Sequence, residues 1–126
     1  MLIREKLMNR LLRLQSMVHT DCKRKLVIAI TDQHEAPKVN RAKGECKNIV
    51  GGCGCTHAEE QFHYDDRVQV VGVSYWPCLE CATHMLKVFP NLEAVFYLHG
   101  AEHHPDGPEI LRHNGVKCEL FITATS

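Results

Sequence analysis

VQVVGVSYWPCLEC, residues 68–81, is the most informative stretch of this 126-residue chain. Residues 68–75 are rich in valine and predict a buried central strand. Residues 79–89 place apolar side chains along one side and predict a helix, so Cys78 and Cys81 lie where that helix begins. A buried strand that leads directly into a helix is typical of an α/β fold.

Strands and helices continue to alternate on either side of this stretch. Apolar residues recur at three- and four-residue steps from Ile3 to Val18, which predicts a first helix. Further strands are predicted at residues 26–31, 36–40, 93–98 and 116–123, and further helices at residues 57–66 and 106–114. The first two strands should form an antiparallel hairpin, whereas strands joined through helices usually lie parallel. The prediction is one domain, residues 1–126, with the α/β architecture of a three-layer α/β/α sandwich and a five-stranded mixed sheet.

Charge and composition restrict the classes of function. The formal net charge is +0 and the pI is about 7.1, so a long basic surface for nucleic acid is not indicated. The hydrophobic fraction is 44% and no run of eighteen apolar residues exists, so no transmembrane helix is expected. Basic residues such as Arg4 and Arg10 also fit a targeting segment, but the apolar stripe favours a first helix of the fold.

The cysteine and histidine content points towards a metal. Seven cysteines is an odd count, which a secreted disulfide framework would rarely show. No secretory signal is evident, so the cytoplasm, where thiols stay reduced, is the predicted compartment. Seven thiols beside nine histidines then indicate that some of them bind a metal ion.

Two short segments, THAEE (56–60) and WPCLEC (76–81), carry the chemistry. Cys78 and Cys81 are three residues apart and lie on one face of a helix. The positive end of the helix dipole lowers the pKa of a thiol at this position. His57 can supply a third ligand. Two cysteines and one histidine leave one position of tetrahedral zinc open, which is typical of a catalytic site.

Glu59 follows the histidine by two residues and can face a zinc-bound water without ligating the metal. Zinc lowers the pKa of such a water towards neutrality, and a carboxylate there can take a proton and return it. His-x-Glu followed by Pro-Cys-x-x-Cys is the signature of zinc-dependent base deaminases. Two alternatives stay open: a structural zinc site completed by another cysteine, and a thioredoxin-like redox pair.

Over roughly residues 20–122 the chain resembles the deoxycytidylate (dCMP) deaminases of the cytidine deaminase superfamily, in their phage and bacterial forms. Besides the two segments above, the resemblance rests on CKRKL (22–26), RAKG (41–44) and GGCGC (51–55). SYWPC (74–78) and EQF (60–62) depart from the family pattern and are similar to the polynucleotide cytidine deaminases.

This resemblance implies a cytidine-deaminase-like fold, one catalytic Zn²⁺ and hydrolysis of dCMP to dUMP with release of ammonia. It implies a small-molecule nucleotide substrate and a homo-oligomer, a dimer or a hexamer, in the cytoplasm, or the host cytoplasm for a phage protein. Membrane and nucleic-acid partners are not expected. The alternative with the same chemistry is a deaminase of single-stranded cytosine or tRNA adenosine. The alternative of another class is a non-enzymatic zinc-stabilised binding module.

The resemblance also implies how a cytosine base is held. Asn40 falls where the family places a substrate-contacting asparagine, and the Ala58 amide would lie on the cytosine carbonyl oxygen. The base would stack near His57 and Tyr97. Trp76 is either a packing residue beneath the zinc site or a wall of the base pocket.

Basic residues follow Asn40. Arg41 and Lys43 are candidates for binding a 5′-phosphate, and solvated loop charges explain them equally well.

A second, structural zinc ion is a further hypothesis. Loop residues of the two types that zinc prefers are its candidate ligands: Cys46, Cys53, Cys55 and His103, with His104 beside them. Otherwise these are loop thiols and surface histidines. Cys22 and Cys118 are predicted to be core residues and not ligands.

Overall fold

Three strands rich in apolar residues and two short edge strands form one mixed sheet of five strands in the described part of the chain. The structure, a computed structural model, describes residues 2–23, 26–33, 36–42, 54–100 and 105–122. The strands are β1 (Ile28–Thr31), β2 (Lys38–Val39), β3 (Val70–Tyr75), β4 (Ala94–His99) and β5 (Lys117–Leu120). Their order across the sheet is β2-β1-β3-β4-β5, so the valine-rich β3 is the central strand, as predicted.

β1 runs antiparallel to both of its neighbours, whereas β3, β4 and β5 are parallel. The predicted hairpin of the first two strands is therefore confirmed. Because β3 and β4 are parallel, their carboxyl ends meet at one edge of the sheet, where Tyr75 lies beside His99. The chain leaves β3 at this edge and enters the helix that carries Cys78 and Cys81.

Within the residues that the structure describes, three α-helices cover the two faces of the sheet: α1 (Ile3–Leu14), α2 (Leu79–Val88) and α3 (Asp106–His113). Side chains alternate between the faces along a strand, and the two main core clusters follow that alternation. On one face, α1 packs against Ile28, Ile30, Ala94 and Phe96. On the other face, α2 and α3 pack against Ala29, Val71, Val73 and Val95. The predicted three-layer α/β/α sandwich is confirmed.

One predicted element is wrong. Residues 57–66 form only a short 3-10 turn, Glu59–Gln61, and not a helix. The backbone becomes extended at Phe62, whose buried ring packs edge-on against Phe89 with 5.1 Å between centroids. A helix through residue 66 would carry this ring away from Phe89, so a tertiary contact overrides the local helix propensity.

The ends of other elements also differ from the prediction. α1 ends at Leu14, and Ile3, which belongs to the predicted apolar stripe, is 62% exposed. β1 begins at Ile28 and β5 ends at Leu120. Terminal residues of an element are the least constrained by its periodicity. Within the described ranges, no helix combines the length and the apolar character that crossing a membrane requires.

Candidate active site and metal centre

The side chains of His57, Cys78 and Cys81 converge where β3 leads into α2. His57 Nδ1 lies 3.1 Å from Cys81 Sγ and 3.5 Å from Cys78 Sγ. The three ligand atoms all lie within 4.8 Å of one another. Zinc binds sulfur at about 2.3 Å and nitrogen at about 2.0 Å, so tetrahedral ligands lie about 3.5–3.8 Å apart. The structure thus brings the three predicted ligands together in a triangle that fits the ion.

Cys78 is the N-cap residue of α2. Its backbone is extended, with φ −76° and ψ 169°, and its Sγ accepts a hydrogen bond from the Cys81 N–H at 3.4 Å. This contact satisfies an amide that the first turn of a helix leaves unpaired, at the positive end of the helix dipole. The start of α2 therefore favours the thiolate form of Cys78, which a metal requires.

The second part of the site is the ligand turn, residues 57–62. Its start is closed by Glu60, whose Oε1 accepts a hydrogen bond from the His57 N–H at 3.0 Å. Gln61 Nε2 donates to the carbonyl oxygen of Val39 at 2.6 Å. These contacts hold the turn in shape and attach it to β2, so His57 approaches the two thiols on a fixed backbone.

The two thiols differ in acidity. Hydrogen bonds from Cys81 and then from His57 lower the pKa of Cys78 to about 4. The hydrogen bond to Cys78 and burial raise the pKa of Cys81 above its usual range. The pKa of His57 is raised to about 9, chiefly by its hydrogen bond to Cys78. A metal ion must therefore displace protons from His57 and Cys81 when it binds.

Glu59 places a buried carboxylate inside the ligand turn. Its side chain is 3% exposed, and Oε1 has no hydrogen-bond partner among the residues that the structure describes. Burial raises the pKa of Glu59 to about 7, and the charges of Cys78 and His57 also act on it. A buried oxygen without a partner is unfavourable, and carboxyl groups of raised pKa are concentrated at functional sites. Glu59 thus places a buried carboxyl group of raised pKa beside the three candidate metal ligands.

Arg41 lies directly beside the ligand turn. It forms an isolated antiparallel bridge with Thr56, with N–O distances of 3.0 Å and 2.7 Å. Thr56 immediately precedes His57, and the Arg41 side chain is exposed. A cation is thus available next to the site, while Lys43 lies outside the described residues.

Asn40 and Ala58 are both buried, 5% and 0% exposed. Asn40 Oδ1 accepts a hydrogen bond from the Val27 N–H at 2.9 Å, so this oxygen joins the end of β2 to the segment before β1. Ala58 belongs to the main core cluster.

Trp76 and Tyr97 pack against each other edge-on, with 4.9 Å between ring centroids. Tyr97 is buried at 7% exposure and Trp76 is partly buried. Trp76 also extends the strand pairing, because its N–H donates to the His99 carbonyl oxygen at 2.7 Å. The backbone contact and the ring contact together place both residues at the carboxyl edge of the sheet.

The second-zinc hypothesis falls mainly on Cys46, Cys53 and His103, which lie outside the described residues. Cys55 is described, and it is buried in a small cluster with Cys22. In the part of the chain that the structure describes, the metal-ligand grouping is that of His57, Cys78 and Cys81. Cys22 and Cys118 are buried, at 8% and 1% exposure, as predicted.

Sequence reasoning missed three residues that shape the site. Gln61 attaches the ligand turn to β2, and His84 Nε2 lies 2.8 Å from the Phe62 carbonyl oxygen. Gly107, in the first turn of α3, lies so close to Pro77 that a Cβ atom there would be 1.9 Å from the Pro77 carbonyl oxygen. None of the three has a local sequence signal, because each acts on a partner that is distant in the sequence.

The sheet order, the helices on both faces and the position of this site define a cytidine-deaminase-like α/β fold. The same fold is found in the dCMP deaminase from the cyanophage S-TIM5, whose structure was solved in complex with dCMP and dUMP. The two are 21% identical over 94% of this chain and 96% of that chain, with a TM-score of 0.69. Its apo form gives 20% identity over 94% of this chain and 97% of that chain, with a TM-score of 0.62. At the level of sequence, no protein-family model and no curated protein matches the chain.

Proposed function

We propose that the protein is a zinc-dependent deaminase that hydrolyses the amino group of a cytosine nucleotide, with dCMP as the substrate and dUMP and ammonia as the products. The observation that carries this proposal is the buried Glu59 carboxylate, with an unpartnered oxygen, beside the His57, Cys78 and Cys81 group. A closed structural zinc site or a redox pair gives no reason for such a carboxylate.

In this proposal the three ligands hold the metal and Glu59 moves protons. When bound, zinc would supply an acidified water at its open position. Glu59 would move both protons of the attacking water, the first to the ring nitrogen N3 and the second to the leaving amine, so that the oxygen remains on the carbon and ammonia departs. Burial raises the pKa of Glu59 to about 7 in the metal-free site, and a buried carboxyl group is a common general acid–base catalyst.

The choice of a nucleotide is supported by Arg41 and by the fold. Arg41 is an exposed cation one bridge away from the ligand turn, and a guanidinium is well suited to a phosphate group. The chain's net charge of +0 gives no general attraction to a polynucleotide. The cyanophage enzyme of the same fold was solved with dCMP and dUMP.

Self-association as a dimer or a hexamer is part of the same proposal. Leu79 follows the metal ligand Cys78 directly and is 45% exposed. It lines a shallow depression together with Ile110 and Glu109 of α3. A second chain packed here would cover an exposed leucine next to a proposed metal ligand, in a depression whose other residues are mainly polar: Asp106, Glu109 and His113.

The decisive experiment measures ammonia release and zinc content for the wild type and for Glu59→Gln. The substrates are dCMP, CMP, deoxycytidine, cytidine, single-stranded DNA and tRNA, each assayed at the same concentration. We expect the wild type to contain zinc and to act best on dCMP. Glu59→Gln should fold and retain zinc but lose at least about a hundredfold in rate, the usual contribution of a general acid–base group.

The exposed Glu93→Gln, just before β4 at the opposite edge of the sheet, serves as the control for a carboxyl-to-amide change away from the site. A wild type that releases ammonia from no substrate would overturn the enzyme proposal. Preference for single-stranded DNA or tRNA over dCMP would reassign the substrate while leaving the chemistry in place.

A further inference from the structure

The ligand turn and α2 carry the proposed metal ligands. They are joined by a series of contacts that continues along α2 beyond these ligands. At the top, His57 of the ligand turn meets Cys81 of α2 at 3.1 Å. One helical turn further along α2, His84 Nε2 lies 2.8 Å from the carbonyl oxygen of Phe62. At the end of the helix, the Asp65 N–H donates to the carbonyl oxygen of Val88 at 2.9 Å. The segment from His57 to Asp65 and α2 therefore run side by side, with contacts at three positions along α2.

His84 makes the contact that lies next to the metal ligands along α2. It lies three residues after Cys81, so both side chains project from the same face of α2. Its partner, Phe62, is the last residue of the ligand turn and lies three residues after Glu59. A shift at Phe62 is therefore transmitted over a few peptide units to Glu59 and His57.

A hydrogen bond controls this spacing better than the apolar contact beside it. The Phe62 and Phe89 rings meet edge-on at 5.1 Å, a contact that a sliding motion changes little. The His84 bond is directional and weakens when the donor leaves the axis of the carbonyl group. Losing it would also leave the Phe62 carbonyl oxygen with one partner fewer in a partly buried place.

We propose that His84 is a positioning residue of the metal centre, which holds the Phe62 carbonyl oxygen and thereby fixes the distance between the His57–Glu59 pair and the two cysteines. The inference rests on the proposed zinc site. It requires a proton on Nε2, which the imidazolium form and one of the two neutral tautomers supply. A glutamine at position 84 can place its amide nitrogen near the position of Nε2, whereas an asparagine is too short.

The test compares His84→Leu, His84→Asn and His84→Gln with the wild type. Zinc affinity is measured by competition with a chelator, and the geometry of the site by the visible spectrum of the Co²⁺-substituted protein. The values of kcat and KM for dCMP are measured in parallel. Leu11→Ala is the control, because Leu11 is fully buried on the opposite face of the sheet.

We expect His84→Leu and His84→Asn to bind zinc about tenfold to a hundredfold more weakly, the usual effect of removing a group that orients metal ligands. Both should shift the Co²⁺ spectrum and lower kcat more than they raise KM. His84→Gln should restore the affinity and the spectrum. Leu11→Ala should lower the unfolding midpoint and leave the zinc affinity unchanged.

If His84→Leu and His84→Asn keep the zinc affinity and the Co²⁺ spectrum of the wild type, the inference fails while the proposed zinc site stands. The same holds if His84→Gln is as impaired as His84→Leu. A wild type that binds neither metal overturns the proposed zinc site, and the inference with it. Should His84→Leu fail to fold, the comparison of His84→Asn with His84→Gln decides the question.

Discussion

Cys78 and Cys81 lie three residues apart on one helix, yet hydrogen bonding gives them opposite acidities. Cys78 accepts from the Cys81 amide and interacts with the Cys81 thiol and with His57, so its pKa is lowered to about 4. Cys81 is fully buried and its pKa is raised. Without metal, the site therefore holds a thiolate at Cys78 and a proton on His57, whose pKa is raised to about 9.

This difference predicts selective alkylation of Cys78 in the metal-free protein. At pH 6 an ordinary thiol is less than about 1% ionised, whereas Cys78, with a pKa of about 4, is almost fully ionised. Its reaction with iodoacetamide should be nearly independent of pH between 6 and 8 and should slow only as the pH falls towards 4. Cys118, whose pKa burial raises to about 12, should stay unmodified. Peptide mapping by mass spectrometry at several pH values measures both sites.

Zinc should protect Cys78 from the reagent, and Cys78→Ser should remove the low-pH reaction. A rate at Cys78 that rises only above pH 8 would contradict the assigned thiolate. The Cys78→Ser variant is needed as a control because the chain has seven cysteines in total, and others could react with the reagent.

At the scale of elements, α3 begins in direct contact with the backbone at Cys78, the first of the two proposed cysteine ligands. A Cβ atom at Gly107 would lie 1.9 Å from the Pro77 carbonyl oxygen and 2.9 Å from the Cys78 carbonyl carbon. Both are backbone atoms, so neither can rotate away. The absence of a side chain at position 107 thus allows α3 to support the start of α2.

We expect Gly107→Ala to destabilise the protein by about 1–3 kcal/mol, as overpacking usually does, and to weaken zinc binding by displacing Cys78. Helix propensity alone predicts the opposite sign, since alanine is favoured over glycine inside a helix by about 1 kcal/mol. Chemical denaturation and chelator competition measure the two effects.

Glu109→Ala, an exposed change in the same helix, is the matched control, with an expected effect within about 0.5 kcal/mol. A Gly107→Ala protein as stable as the wild type would show that the two helix starts can separate without loss.

Across the whole molecule, some features could be predicted from the sequence and others could not. The two groups have different physical origins. The order of strands and helices follows from local periodicity, and the His57, Cys78 and Cys81 group follows from ligand chemistry at the starts of local elements. The helix predicted at 57–66 is wrong because Phe62 turns to meet Phe89, a partner that no local pattern specifies. The role of His84 could not be predicted for the same reason, since its partner Phe62 is distant in the sequence.

The proposed zinc ion would add a direct link between two parts of the fold that already touch through the His84 hydrogen bond and the Phe62–Phe89 ring contact. His57 comes from the ligand turn, which Gln61 attaches to β2, and the cysteines come from α2. A ligand that binds only the folded state stabilises it in proportion to the logarithm of its concentration over Kd. Because a bound ion would bridge both parts, its removal should lower the stability of the whole domain.

We therefore expect chelation to lower the Tm of the entire domain in a single transition. With free zinc at a hundred times Kd, the stabilisation is about 2.7 kcal/mol, which corresponds to a shift on the order of 10 °C for a chain of this length. The shift should shrink as the pH falls from 7.5 to 5.5, because protons compete with zinc for His57 and Cys81. Calorimetry in zinc-buffered and chelator-containing solutions measures the shift, and Cys78→Ser should abolish it. An equal Tm in both solutions would contradict a metal centre that joins the two parts of the fold.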